Sequence, residues 1–212
     1  MADRYDALIV GARAAGAATA LLLARAGARV LVVERDAPGT DTLSTHALMR
    51  GGVMQLARWG LLDRVIAAGT PPVRTTLFAY GAERTMVEIK PRQGIDALYS
   101  PRRTVLDPIL AGAAIEAGAT VRYDACFTDV LRAGDGRVQG ALVRTADGLA
   151  PIRAGIVIGA DGRRSRVARA VAAPPRRAGV HAAASVYAYV AEAKTTCSPS
   201  LVGITPAAAP GA

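Results

Sequence analysis

Near the start of the chain, two glycines and one acidic residue have the types and the spacing needed to bind a nucleotide. Gly11 ends an apolar run over residues 7–10, and Gly16 opens a segment of small and apolar residues at helical density. In this arrangement the first glycine makes a tight turn, the second lets the helix pack closely, and the helix N-terminus offers N–H groups to a pyrophosphate. Glu34 follows a second apolar run, where its carboxylate can accept hydrogen bonds from ribose hydroxyls.

The elements that must position these residues are a strand, a helix and a second strand. The helix ends at Gly27, as a left-handed cap would, and the second strand spans residues 29–33. The pattern predicts an α/β fold built on a Rossmann-like βαβ unit, with a purely structural βαβ unit as the alternative. Because a 2′-phosphate would meet the charge of Glu34, FAD or NAD is favoured over NADP at this site.

One position departs from the G-x-G-x-x-G fingerprint, because Arg13 stands where the middle glycine is expected. That glycine normally lets the backbone approach the phosphates. The Arg13 side chain must therefore point away from the ligand or displace it slightly.

The composition is that of a globular protein, with 51% hydrophobic and 20% charged residues in 212. The first residues do not form a secretory signal and no apolar run reaches bilayer length, which predicts a soluble, cytoplasmic protein with no membrane contact. A net charge of +9 suggests nucleic acid as a partner, but arginine dominates the basic residues and aromatic residues are only 4%. We therefore predict no nucleic-acid partner. Two cysteines and two histidines, without motif spacing, predict no metal site.

The segment after Glu34 carries a second candidate motif. Residues 43–46, Leu-Ser-Thr-His, lie where a chain leaving the second strand can return over a cofactor, although a helix cap by Ser44 or Thr45 is the alternative. A helix ending at Gly60 follows. Two strand-like runs, 73–80 and 84–89, then predict a separate sheet with an inserted, substrate-covering role.

The second half of the chain is predicted to return to the nucleotide fold. An amphipathic helix lies between residues 98 and 118, and its start is open because Asp107 followed by Pro108 resembles an N-cap and first helical residue. Three strands are predicted to form an inserted β-meander, over 120–125, 127–132 and 137–144. A short buried strand over 156–158 then leads into Gly-Ala-Asp161-Gly162, and Asp161 is either a ligand-binding residue or a plain cap of the helix over 163–170.

Four motifs in this order and spacing resemble those of the flavin-dependent monooxygenases of the p-hydroxybenzoate hydroxylase fold. They are the segment from Gly11 to Gly16 with Glu34, the segment 43–46, Arg103-x-x-Leu106-x-x-x-Leu110, and residues 159–162. The resemblance implies that the first motif holds the ADP half of FAD, that Arg103 reaches the flavin side, that Asp161 and Gly162 lie beside the pyrophosphate, and that the Phe127 backbone meets the adenine. The candidate cofactor-binding residues are therefore Gly11, Arg13, Ala15, Gly16, Glu34, Arg35, Ser44, His46, Arg103, Phe127, Asp161 and Gly162.

The resemblance also implies a reaction. FAD is reduced by NADH or NADPH and then uses molecular oxygen to hydroxylate a small organic substrate, while the protein contributes orientation and exclusion of water. No catalytic acid–base pair is predicted, and the catalytic residues and the oligomeric state stay unknown. A catalytically inert FAD- or ADP-binding fragment, an isoprenoid reductase and a halogenase of related fold are the alternatives.

The predicted organisation is an FAD-binding domain over 1–70 and 98–180, partial substrate-domain strands over 71–97 and 181–192, and an aberrant or disordered tail over 193–212. The tail carries almost no charge and is interrupted by prolines. Family members continue into a second Gly-Asp motif that this chain lacks, which predicts a truncated product with a diminished flavin site.

Overall fold

The computed structural model describes residues 4–44 and 47–175. It contains two compact units, of which the first is formed by the described parts of Met1–Thr42 and Arg103–Arg176, and the second by those of Leu43–Arg102. In chain order the elements are β1 (Arg4–Val10), α1 (Ala14–Arg25), β2 (Val30–Val33), α2 (Arg50–Trp59), α3 (Leu62–Ala67), β3 (Pro72–Val73), β4 (Thr75–Tyr80), β5 (Glu83–Glu88), β6 (Leu98–Tyr99), α4 (Arg103–Glu116), β7 (Thr120–Arg122), β8 (Cys126–Arg132), β9 (Val138–Thr145), β10 (Gly148–Gly159) and α5 (Arg166–Ala170).

A six-stranded sheet with the order β7-β2-β1-β10-β9-β8 organises the first unit. The strands β7, β2, β1 and β10 are parallel, whereas β10, β9 and β8 are antiparallel. This arrangement confirms the α/β fold with a Rossmann-like βαβ unit, in which Gly27 has the expected positive φ of 85° after α1. All four residues of β2 are buried, as is typical of a parallel strand covered on both faces.

The predicted β-meander is present with different strands. The strand predicted over 120–125 is β7, which pairs in parallel with β2 rather than with β8, so that prediction is wrong. The reason is the preceding helix α4, because a strand–helix–strand crossover returns the chain parallel to the sheet. The meander consists of β8, β9 and β10.

The strand predicted over 156–158 is the last part of the much longer β10, and it is only partly buried. Ile156 is 55% exposed, so its predicted burial is wrong. The antiparallel pairing with β9 extends only to Arg153 of β10. Beyond that residue, within the part of the chain that the structure describes, β10 is paired with β1 alone.

Helix α4 settles where the amphipathic segment begins. It starts at Arg103 and contains Pro108, which excludes Asp107 as its N-cap. Pro108 is the sixth residue of the helix, so it removes the bond that an N–H there would make to the Thr104 carbonyl. The Asp107 side chain instead forms an i,i+4 ion pair with Arg103.

The second unit has its own small core around Val53, Ile95, Ala97 and Tyr99. Helix α2 ends at a left-handed Gly60, as predicted, and the two predicted strand runs form the antiparallel hairpin of β4 and β5. Residues 43–70 lie in this unit, whereas the functional division into an FAD-binding and a substrate domain stays a prediction. Residues 181–212 lie outside the described residues.

No helix of the described residues combines the length and the apolar character that crossing a membrane requires. Among the same residues, no group of three or more His, Cys, Asp or Glu side chains could hold a metal ion.

Candidate functional site

The turn between β1 and α1 is built on two glycines that have no room for a side chain. Gly11 has a φ of 103°, and a Cβ atom there would lie 2.6 Å from the carbonyl oxygen of Ala160. A Cβ atom on Gly16 would clash with the carbonyl oxygen of Gly11. The glycine types are therefore required by close backbone packing, which brings the start of α1 against the end of β1.

The same packing joins the two predicted glycine motifs. Val10 and Gly159 are register partners at the carboxyl ends of β1 and β10, and the N–H of Ala160 donates to the Val10 carbonyl at 2.8 Å. Ligands of open parallel sheets bind beyond this end of the strands. The structure thus brings the Gly11 and Asp161 motifs together at one edge.

Glu34 follows β2 and turns its carboxylate toward the glycine turn. Its Oε2 accepts a hydrogen bond from the Ala12 N–H at 2.8 Å, and Oε1 accepts one from the Asp36 N–H at 3.2 Å. The residue is only 7% exposed. The acid expected to bind ribose is therefore fixed beside the turn expected to bind phosphate.

Arg13 does not point away from this site. Its guanidinium donates to Asp36 Oδ2 at 3.0 Å and to the Thr40 carbonyl at 3.2 Å, and it lies 3.7 Å from Asp107 Oδ2. A pocket in the first unit is lined by Ala12, Arg13, Glu34, Asp36, Ala37, Gly39, Thr40, Asp107, Pro108 and Tyr123. The side chain that replaces the fingerprint glycine is thus part of the pocket wall.

Asp107 is the site residue that sequence reasoning missed. It is 8% exposed, and its Oδ1 accepts from Arg103 Nε at 2.9 Å and lies 2.8 Å from Arg103 Nη2. Burial raises the pKa of the Asp107 carboxyl, and the charges of Arg103 and Arg13 and the Ala14 N–H oppose that rise. The i,i+4 spacing of Arg103 and Asp107 was the available signal, but the Asp-Pro pair favoured an N-cap.

Tyr123 also lines the pocket, and burial raises the pKa of its hydroxyl. The carboxylates of Glu34 and Asp107 raise it further, because they oppose a third negative charge nearby. The pocket therefore has a negative character close to Tyr123.

The helix predicted over 163–170 begins only at Arg166 and its N-cap residue is Ser165, but the Asp161 carboxylate still accepts from the first turn. Its Oδ1 accepts from Ser165 Oγ at 2.6 Å, and its Oδ2 accepts from the Arg166 N–H at 2.6 Å. Ser165 Oγ in turn accepts from the Ala168 N–H at 2.9 Å, so both side chains secure the start of α5. A role of Asp161 and Gly162 toward a ligand stays a prediction.

The remaining candidates occupy varied positions. Ala15 lies in the first turn of α1, whereas the Arg35 side chain is 72% exposed. Phe127 is buried in the core of the first unit, so its side chain is not available to a ligand, and a contact of its backbone with adenine stays a prediction. Ser44 belongs to the second unit, and His46 lies outside the described residues.

Comparison with known proteins identifies relatives that use this fold. A digeranylgeranylglycerophospholipid reductase of Methanopyrus kandleri is 32% identical over 177 residues, which span 81% of this chain and 41% of the reductase. The myxobacterial chondrochloren halogenase superposes with a TM-score of 0.70 at 28% identity, covering 79% of this chain and 39% of the halogenase. An aklavinone-11 hydroxylase in complex with FAD and aklavinone superposes with a TM-score of 0.64 at 26% identity, covering 81% of this chain and 36% of the hydroxylase.

The chain thus spans about two fifths of the length of the relatives it matches. The FAD binding domain family matches residues 4–208, which is nearly the whole chain. The chain therefore belongs to this FAD binding domain family, and it has the fold of the flavin-dependent monooxygenases and halogenases of the p-hydroxybenzoate hydroxylase type.

Proposed function

We propose that the first unit binds the ADP half of FAD, and that the whole protein is an NAD(P)H-dependent monooxygenase that hydroxylates a small organic substrate with molecular oxygen. The observation that carries the first part is the hydrogen bond between Glu34 Oε2 and the Ala12 N–H, at 2.8 Å. This bond supports the proposal because it keeps a carboxylate directly beside the glycine turn, where an adenine dinucleotide needs an acceptor for its ribose hydroxyls.

The residues of the pocket fit the ADP half of this cofactor. Glu34 would accept hydrogen bonds from the ribose hydroxyls, and the first turn of α1 presents the N–H groups of Ala15 and Gly16, which a helix leaves without intrahelical partners. The Ala14 N–H is engaged by Asp107. Gly11 lets the turn pack against the Ala160 carbonyl, where a Cβ atom would lie 2.6 Å from the oxygen. FAD, when bound, supplies the redox chemistry, and the protein contributes binding and orientation.

The charges of the pocket favour FAD or NAD over a dinucleotide with a 2′-phosphate at this site. Glu34 and Asp36 are both in the wall, and a phosphate on the ribose would lie close to their carboxylates. NADH or NADPH would then act as the reductant that delivers electrons to the flavin, rather than as the ligand of this pocket.

A second candidate is nucleotide binding without catalytic activity. It is favoured by the pocket, whose residues are proposed above to contact only the ADP half of the cofactor. A reductase or a halogenase activity of the whole protein is the third candidate, since both classes occur among the relatives.

The test combines an absorbance spectrum of the purified chain with titrations of FAD and ADP. We expect flavin bands or saturable FAD binding, with ADP as a competitor. Absence of both would contradict the binding proposal. Oxygen uptake and NADH or NADPH oxidation with added FAD then separate the enzyme from the fragment, because only the enzyme consumes both.

A further inference from the structure

The charged side chains in the pocket wall leave a dinucleotide pyrophosphate with few cationic partners. Among the described residues that line the pocket, Arg13 is the basic one, whereas Glu34, Asp36 and Asp107 are acidic. A pyrophosphate that approaches three carboxylates is repelled unless a cation compensates. Arg13 is therefore the wall residue with the charge that such a ligand needs.

Arg103, the nearby second arginine, is engaged elsewhere. Its Nε and Nη2 both contact Asp107 Oδ1, at 2.9 and 2.8 Å, and its side chain is 15% exposed. This two-point contact to a buried carboxylate is the strong form of an arginine ion pair. Releasing Arg103 would leave Asp107 with an uncompensated buried charge, which is strongly unfavourable.

Arg13 is held in the pocket wall by hydrogen bonds to Asp36 and the Thr40 carbonyl, and its third contact is a loose one. Its Nη1 is 3.7 Å from Asp107 Oδ2, which is too long for a hydrogen bond, and Oδ2 is a buried oxygen without a hydrogen-bond partner among the described residues. The Arg13 side chain is 27% exposed. Arg13 is also the N-cap residue of α1, so its guanidinium is attached at the end of the helix that attracts anions.

We propose that the Arg13 side chain binds the pyrophosphate of the dinucleotide. This side-chain contact replaces the close approach of the backbone to the pyrophosphate that a glycine at position 13 would allow. This inference rests on the proposed function of the same pocket. Asp36 and Asp107 hold the guanidinium at the pocket wall, and the phosphate oxygens exchange for the weaker of these contacts. The site thus selects adenine nucleotides with phosphates over adenosine, and it does so through a side-chain cation.

The test measures ADP and adenosine binding by calorimetry for the parent chain, Arg13→Gln and Arg13→Lys. Loss of a hydrogen-bonded ion pair with phosphate should lower the ADP affinity of Arg13→Gln by about 10-fold to 100-fold. Adenosine affinity should change by less than about twofold, because adenosine lacks the partner charge. Arg13→Lys should recover part of the ADP affinity, since lysine binds phosphate as a point charge. Arg137→Gln, an exposed substitution outside the pocket, is the control expected to change neither affinity.

Three results would overturn the inference. Equal losses for ADP and adenosine would show that Arg13 only supports the fold, and unchanged ADP affinity would remove it from the phosphate site. Tighter ADP binding by Arg13→Gly, measured as a further variant in the same titrations, would show that the side chain obstructs the ligand. Failure of the parent chain to bind ADP would instead contradict the proposed function itself, so the two failures are distinguishable.

Discussion

Replacing Glu34 with glutamine tests the ribose site with little disturbance of the fold. Alanine is the poorer choice, because it would also remove the acceptor of the Ala12 N–H, and Ala12 is only 4% exposed. An unsatisfied buried N–H group costs about 1–3 kcal/mol on its own. Glutamine keeps the size of the side chain and one amide oxygen that can accept from the Ala12 N–H, while it removes the negative charge. Its NH2 group would face the Asp36 N–H, so the longer of the two bonds, at 3.2 Å, is the one lost.

The expected magnitude follows from the change in the acceptor. A hydrogen bond to a charged group contributes about 1.5–3 kcal/mol, against about 0.5–1.5 kcal/mol for a neutral one. The difference, about 1–1.5 kcal/mol for one ribose hydroxyl, corresponds to a loss of about 5-fold to 13-fold in ADP affinity.

The assay is calorimetric titration of the parent chain and Glu34→Gln with ADP and with 2′,3′-dideoxy-ADP. Because the dideoxy ligand has no ribose hydroxyls to donate, the substitution should hardly change its affinity. Glu88→Gln on the exposed strand β5 is the matched control and should behave as the parent. Equal effects of Glu34→Gln on both ligands, or no effect on either, would refute the assignment of Glu34 to the ribose.

Three further predictions concern the fold, the pH dependence and the activity. In urea melts, Gly16→Val should lower the free energy of unfolding by more than the roughly 1–3 kcal/mol typical of overpacking, because its Cβ atom would clash with the Gly11 carbonyl. Gly112→Val in α4 is the control and should be tolerated, because no atom lies within 4 Å of the added Cβ. Burial raises the pKa of Asp107 in the folded state above its ordinary value of 3.8. Between 3.8 and that raised pKa, the folded chain keeps a proton that the unfolded chain has lost. The free energy of unfolding of the parent chain should therefore fall, relative to that of Asp107→Asn, as the pH rises through this window. Parallel pH profiles of the two proteins in urea melts would contradict that sign. With added FAD, the 212-residue chain should oxidise NADH or NADPH at a rate well below about 1 per second. The pocket is proposed to hold only the ADP half of FAD, so the flavin ring would be loosely placed, and a displacement of a reacting group by about 1 Å can cost about a hundredfold in rate. An oxygen-electrode rate at or above about 1 per second would identify the chain as a competent enzyme.

The sequence predicts the β1–α1–β2 unit well because its determinants are local. The spacing of Gly11, Gly16 and Glu34 along one strand–helix–strand segment leaves few ways for the chain to fold. The pairing of β7 with β2 and the exposure of Ile156 depend instead on which strands become neighbours, and that is a property of contacts distant in sequence. Local patterns such as alternation and apolar runs do not contain this information.

Asp107 shows the same limit within the candidate site. Locally, an aspartate before a proline is a favourable helix start. In the folded unit, Arg103 begins the helix one turn earlier and Asp107 is buried between Arg103 and Arg13. These two ion pairs favour the longer helix. Because Arg13 lies far from Asp107 in the sequence, only the tertiary structure brings their charges together.

The placement of Glu34 connects folding of the site with binding. Because Glu34 holds the Ala12 N–H and Gly11 packs against Ala160, the ribose acid, the glycine turn and the Asp161 segment form one continuous set of contacts at the carboxyl ends of β2, β1 and β10. The Glu34 carboxylate is thus fixed before any ligand arrives, which reduces the conformational entropy that binding must remove. Arg13 differs in this respect, since its 3.7 Å contact with Asp107 is not a hydrogen bond and can be given up to a ligand while Asp36 and the Thr40 carbonyl still hold the guanidinium. The pocket therefore combines a rigid acceptor for the ribose with an adjustable cation for the phosphates, and the two substitutions Glu34→Gln and Arg13→Gln should affect different parts of the same nucleotide.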